Sequence, residues 1–180
     1  LGSIFGNELP LTVTQMLWVN LIMDTFAAGA LASLPPSMDV MKESPRKNED
    51  FIITPAMRGI ILFTGISFVA ALLTLLWFFT ESDGTISAYN LSRFFTIFVM
   101  FQFWNMFNAK TFLSKRGAFS NLSQSRGFLL VTLLIVVGQI LIVQFGGEVF
   151  RTVPISFKDW LVIIAGTSVV LWVGEIVRLI

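Results

Sequence analysis

"LWVNLIMDTFAAGAL", residues Leu17 to Leu31, is an apolar run with one amide and one carboxylate near its middle, Asn20 and Asp24. Four residues apart, the two share a face if the run is helical. A carboxylate in the middle of a membrane-crossing helix costs about 2.5–3.5 kcal/mol on insertion scales. Its presence asks for a partner or a function. Whether the run crosses a membrane is decided by the sequence around it.

The chain has 180 residues, 55% hydrophobic and 13% charged, with 19 Phe and 5 Trp. Soluble domains carry about 25% charged residues. The net charge is +1, so no polyanion partner is implied, and nucleic acid binding is not expected. Without Cys there is no disulfide and no thiolate metal site; without His the commonest general base and transition-metal ligand is missing. The first residue is Leu1 and not Met, which reads as a piece of a longer chain.

Five apolar stretches are long enough to cross a bilayer: 11–34, 59–79, 94–113, 127–145 and 160–180. No alternating pattern suggests a barrel, so backbone groups in lipid must be satisfied within helices. The expected fold is all-α, a polytopic membrane bundle of five transmembrane helices forming one domain over 1–180. Pro35-Pro36 stops the first helix. Thr54-Pro55 supplies a cap and a first-turn proline for the second. Ser92 is placed to cap the third, and Ser156-Phe157-Lys158-Asp159 reads as a capping-box variant opening the fifth.

Lys and Arg set the orientation. Lys42, Arg46, Lys47, Arg58, Lys110, Lys115, Arg116, Arg126 and Arg178 fall on one side; only Arg93, Arg151 and Lys158 fall on the other. The start is therefore expected outside, the first helix running inward, and the C-terminus in the cytoplasm.

Few polar residues lie inside these spans. Asn20 and Asp24 offer hard oxygen donors, which suit Ca²⁺ or Mn²⁺. The plainer reading is helix-packing glue, with Asp24 protonated or paired to a lysine. Gln102, Asn105 and Asn108 form a loose stripe on the third helix, better suited to interhelical bonds. Gln139 and Gln144 read as packing or interfacial, and Glu175 with Arg178 as a local ion pair. The small residues Ala27, Ala28, Gly29, Ala30 and Ala32 allow either close packing or local unwinding that frees carbonyls toward an ion.

At "QMLWVNLIMDTFAAGALASLPP" the chain resembles the P-type calcium-transporting ATPases, above all the plasma-membrane type. This tract is similar to that family's sixth transmembrane helix. "MDVMKESPR" resembles its coupling loop, "FQFWNMFNAK" its eighth helix, and "VQFGGEVFRTVPISFKDW" the loop between the ninth and tenth. The resemblance covers essentially the whole chain, which makes the five spans helices six to ten.

The resemblance implies a pump that couples ATP hydrolysis, with Mg-ATP bound elsewhere, to Ca²⁺ export with proton countertransport. It implies a multi-pass protein of the cell membrane. Asn20 and Asp24 fall on the sixth-helix Ca²⁺ ligands. Two-site reticulum pumps carry Thr before the aspartate and Glu on the eighth helix; here Met23 and Gln102 stand there. A thioether is a poor Ca²⁺ ligand, so one Ca²⁺ per cycle is expected. In the coupling loop Asp39 and Arg46 match, while Ser37 and Lys42 replace acidic residues.

The phosphorylation motif Asp-Lys-Thr-Gly-Thr is absent from the chain, as are nucleotide-binding and actuator motifs. The implied partners are the lipid bilayer and the rest of the pump: its actuator, nucleotide-binding and phosphorylation domains and first five helices. The remaining ion ligands would come from the fourth and fifth of those helices. The alternatives are a secretory-pathway Ca²⁺/Mn²⁺ pump, a P-type pump for Na⁺ or H⁺, and a standalone membrane scaffold or secondary carrier.

Overall fold

A computed structural model of the chain describes residues 10–34, 53–111, 117–120, 122 and 125–179, less the side chains of Met23, Asp24, Ala56, Arg178 and Leu179. Among these residues the regular structure is helical throughout. It comprises α1 (Val13–Asn20), a π-helical segment (Leu21–Ala27), α2 (Ala28–Ala32), α3 (Pro55–Phe79), α4 (Ala88–Lys110), α5 (Arg126–Phe145), α6 (Gly147–Phe150), α7 (Phe157–Thr167) and α8 (Val169–Leu179). Pro35-Pro36 and the loop residues Ser37, Asp39, Lys42 and Arg46 fall outside the described residues.

Local chemistry explains most helix starts. Thr54 caps α3, its hydroxyl accepting from the Met57 N–H, and Pro55 occupies the first turn, where no N–H partner is needed. Ser156 caps α7 by accepting from the Asp159 N–H. Asp159 answers it with a carboxylate that accepts from the Ser156 hydroxyl. α7 and α8 continue one another through Ser168, whose N–H still reaches the Ile164 carbonyl at 3.1 Å.

α4 begins six residues before the apolar stretch from Phe94, and its cap is Ser87, not Ser92. Ser92 is fully buried. Its hydroxyl donates to the Ala88 carbonyl one turn back and accepts from the Val153 N–H, each bond near 2.9 Å and 2.8 Å respectively. The residue thus ties α4 to the loop before α7. Replacing Ser92 by Ala leaves the Val153 N–H without this acceptor. We expect a loss of about 1 kcal/mol, read as a small fall in the thermal unfolding midpoint of detergent-solubilised protein.

α4 is the centre of the bundle and packs against α3, α5, α7 and α8, while the π segment and α2 pack against α5, and α1 against α6. Phe94, Phe95, Phe103 and Phe107 of α4 are buried. Phe107 meets Phe128 of α5 edge-on at 5.2 Å, and Phe101 stacks on Phe68 of α3 at 5.1 Å. Such pairs add about 0.5–1.5 kcal/mol each to the contact. At the α4–α7 end, the Tyr89 hydroxyl donates to Asp159 and accepts from the Ser156 N–H. Arg93 lies 3.6 Å from the same carboxylate and over the Phe79 ring at 5.0 Å. In the α3–α4 turn, Asp83 accepts from the Thr85 N–H and hydroxyl, which holds its carboxyl below the ordinary carboxylate pKa.

Three helices among the described residues are long and apolar enough to cross a membrane: Met57–Phe79, Arg126–Phe145 and Phe157–Val177. α4 is as long, at 23 residues, but too polar to qualify by composition. Its position accounts for this. A helix covered by other helices meets little lipid and tolerates amides, whereas a helix with an open flank must be apolar there. α3 is the opposite case, with Ile61, Leu62, Phe63 and Ile66 all exposed. Trp77, Phe78, Phe145 and Phe157 are exposed at one common end of the bundle, where α3 and α5 finish and α7 begins. Aromatic residues are favoured at that level in a membrane–water boundary.

Candidate functional site

The first helical run is anchored before it reaches its polar residues. Thr12 caps α1 in a reciprocal box: its hydroxyl accepts from the Gln15 N–H, and the Gln15 amide oxygen accepts from the Thr12 N–H at 2.9 Å. The other end of the Gln15 amide donates to the Phe150 carbonyl at 2.9 Å, fastening α1 to α6. One turn on, the Trp18 indole N–H donates to the Gln139 amide oxygen on α5, also at 2.9 Å. The ring lies against Gly138, where an added Cβ would stand 2.5 Å from its Cη2.

Asn20 closes α1, and its side chain is exposed, whereas Gln15, Ile22, Ala27 and Ala30 are buried. It is therefore not covered by the other described helices. Met23 and Asp24 lie inside the π segment; their side chains are outside the description. The segment widens the helix by shifting its bonds from i→i+4 to i→i+5. Such bulges occur mostly in short pieces and frequently at functional sites. It ends at Ala27, where the small residues begin. Of these residues Ala27 and Ala30 pack inward, while Ala28 and Gly29 are exposed in α2, the turn that follows the π segment.

Gln102 and Asn105 are half-buried on α4. No hydrogen bond joins Asn20 to Gln102 among the described side chains, and the main neighbour of the π segment is α5. Asn108 is an interhelical bond, as its stripe suggested. Its amide donates to the Val170 carbonyl at 2.9 Å, while its buried oxygen has no partner among the described residues. Gln144 donates to the Ile155 carbonyl at 3.0 Å. Glu175 accepts from the Ala118 N–H and so holds the segment after α4 against α8; the Arg178 side chain lies outside the description.

Chemically, an amide and a carboxylate supply hard oxygen donors, which suit Ca²⁺ or Mn²⁺. No group of three acidic, imidazole or thiol side chains gathers among the described residues. The residue the sequence reading missed is Trp18. Its signal was available in part: an indole N–H inside an apolar helix needs an acceptor.

An all-helical bundle with an apolar outer surface and three spanning-length helices is an integral membrane protein. Residues 8–180 match the family described as "Cation transporting ATPase, C-terminus", and the chain belongs to that family. It is 33% identical over 99% of its length to plasma membrane calcium-transporting ATPase 3 of Homo sapiens. It is 29% identical over 99% to plasma membrane calcium-transporting ATPase mca-1 of Caenorhabditis elegans. Against calcium-transporting ATPase 8, plasma membrane-type, of Arabidopsis thaliana it is 33% identical over 95%. The chain spans 15% of the length of the nematode relative and 16% of the length of the other two.

Proposed function

We propose that this chain is the C-terminal membrane part of an ATP-driven Ca²⁺ pump of the plasma membrane. In this reading it forms five transmembrane helices with a cytoplasmic C-terminus, and Asn20 and Asp24 contribute to a single intramembrane Ca²⁺ site. The observation that carries the reading is the place of Asp24: it lies in a π-helical segment within a run that resembles the sixth helix of calcium pumps. The exposure of Asn20 adds support, because it leaves the amide open to ligands from helices outside this chain.

The transport step follows from the chemistry of these groups. A carboxylate and an amide oxygen replace part of the hydration shell of Ca²⁺ when the site faces the cytoplasm. Release on the far side requires those oxygens to part or to be protonated, and a proton taken up by Asp24 gives countertransport its carrier. ATP hydrolysis, with Mg²⁺, belongs to domains outside this chain. The loop bearing Asp39 and Arg46 would pass movement from those domains to the helix.

Met23 and Gln102 argue for one ion, since neither provides the hard anionic oxygen that a second Ca²⁺ would need. Counting the ions occluded per phosphorylated complete pump tests this directly. We expect about one, consistent with one carboxylate-centred site; a value near two would sink the assignment. The same preparation separates the metals. Mn²⁺ that competes with Ca²⁺ at similar concentration would turn the reading toward a Ca²⁺/Mn²⁺ pump.

A further inference from the structure

We propose that Trp18, Gly138 and Gln139 form a lock that fixes the rotation and depth of the helix bearing Asn20 and Asp24. Gln139 is then a positioning residue for the cation site, an inference that rests on the function proposed above. The indole N–H is a donor and nothing else, so the Gln139 amide must turn its oxygen toward it. That bond is 2.9 Å long and joins residues 121 positions apart. Gln139 is 0% exposed, and its Nε2 has no partner among the described residues. Its donor end is thus already unpartnered among the described residues, and swinging away would strand the oxygen as well in an apolar interior.

The second half of the lock is steric. At Gly138 a Cβ would fall 2.5 Å from Cη2 and 2.8 Å from Cζ2 of Trp18. The ring thus rests in a notch cut by the absence of a side chain. A hydrogen bond holds its edge while backbone stops its far rim. Two constraints on one rigid side chain define both the turn and the height of the helix that carries it. The π segment opens three residues beyond Trp18 and packs on the same helix, α5. Ca²⁺ ligands sit about 2.3–2.6 Å from the ion, so a small turn of this helix misplaces its oxygens. The lock should govern affinity, leaving the phosphorylation chemistry in other domains untouched.

The test uses the complete pump and Ca²⁺-stimulated ATP hydrolysis. Trp18→Phe removes both the donor and the distal ring that fills the notch; Gln139→Leu keeps the bulk and removes the acceptor alone. Each should raise the Ca²⁺ concentration for half-maximal activity about tenfold, leaving kcat within about twofold, and the double variant should do no more than either alone. Unchanged affinity in Trp18→Phe would overturn the lock. So would a fall in kcat with affinity kept, or shifts that simply add. Trp18→Phe carries the test alone if Gln139→Leu does not fold, because it removes both halves of the lock and buries no new unpaired polar group at position 18. A parent pump that shows no Ca²⁺ stimulation at all would overturn the calcium reading itself, a result separate from any difference among variants.

Discussion

Asp24→Asn in the complete pump should abolish Ca²⁺-dependent phosphorylation by ATP. The substitution keeps the shape of the side chain and one of its oxygens, and removes the charge. Affinity of oxygen sites for Ca²⁺ is tuned by ligand charge, and Asp24 is the sole acidic residue of residues 11–34. Losing it should weaken binding by roughly 100-fold or more. Misfolding is a poor competing explanation, because an amide at this depth is cheaper to place in a membrane than a carboxylate. The measurement is phosphoenzyme formed from labelled ATP over a Ca²⁺ titration. A wild-type titration curve would remove Asp24 from the site.

The second large effect concerns the bundle. Gly174 of α8 faces Asn108 of α4 so closely that a Cβ would stand 2.2 Å from the amide oxygen and 2.5 Å from Cγ. Asn108 has little room to retreat, since its Nδ2 is bonded to the Val170 carbonyl. Gly174→Ala must push the amide off that carbonyl. Overpacking costs about 1–3 kcal/mol, and stranding a buried polar group about 1–3 kcal/mol more. The better helix propensity of Ala returns about 1 kcal/mol. We expect a net loss of about 2–3 kcal/mol, seen as a clear drop in the unfolding midpoint in detergent. Gly166→Ala is the matched control, because nothing lies within 4 Å of its added Cβ; it should hold or slightly raise the midpoint. Equal midpoints for Gly174→Ala and the parent would show that α4 and α8 do not pack this way.

Features set by neighbours in the chain were the ones visible from the sequence. Thr54-Pro55 and Ser156 open helices by bonding within three residues, so their roles could be read in place. Ser92 has the right chemistry for a cap but spends its hydroxyl on Val153, 61 residues away, and Ser87 caps instead. Trp18 and Gln139 each announced a need for a partner without naming it. The π segment had no herald, for neither Pro nor Gly occurs between Leu21 and Ala27. At the candidate site, Asn20 and Asp24 stand out in the sequence because hard oxygens in an apolar run are rare. Their arrangement does not, because the Asn20 side chain is exposed and no described helix covers it. Three described helices qualify as spans by composition, and α4 does not, because apolarity reports exposure and α4 is covered by its neighbours.

On the five-span reading proposed above, the covering of α4 by its neighbours bears on how the protein is made. A helix too polar to enter lipid readily by itself depends on company during insertion. α3, strongly apolar and joined to it by the short turn 80–87, is the natural companion. The two are best regarded as one hairpin delivered to the bilayer together. The amides of α4 would then stay sheltered beside α3 until α7 and α8 emerge from synthesis and close over the other side.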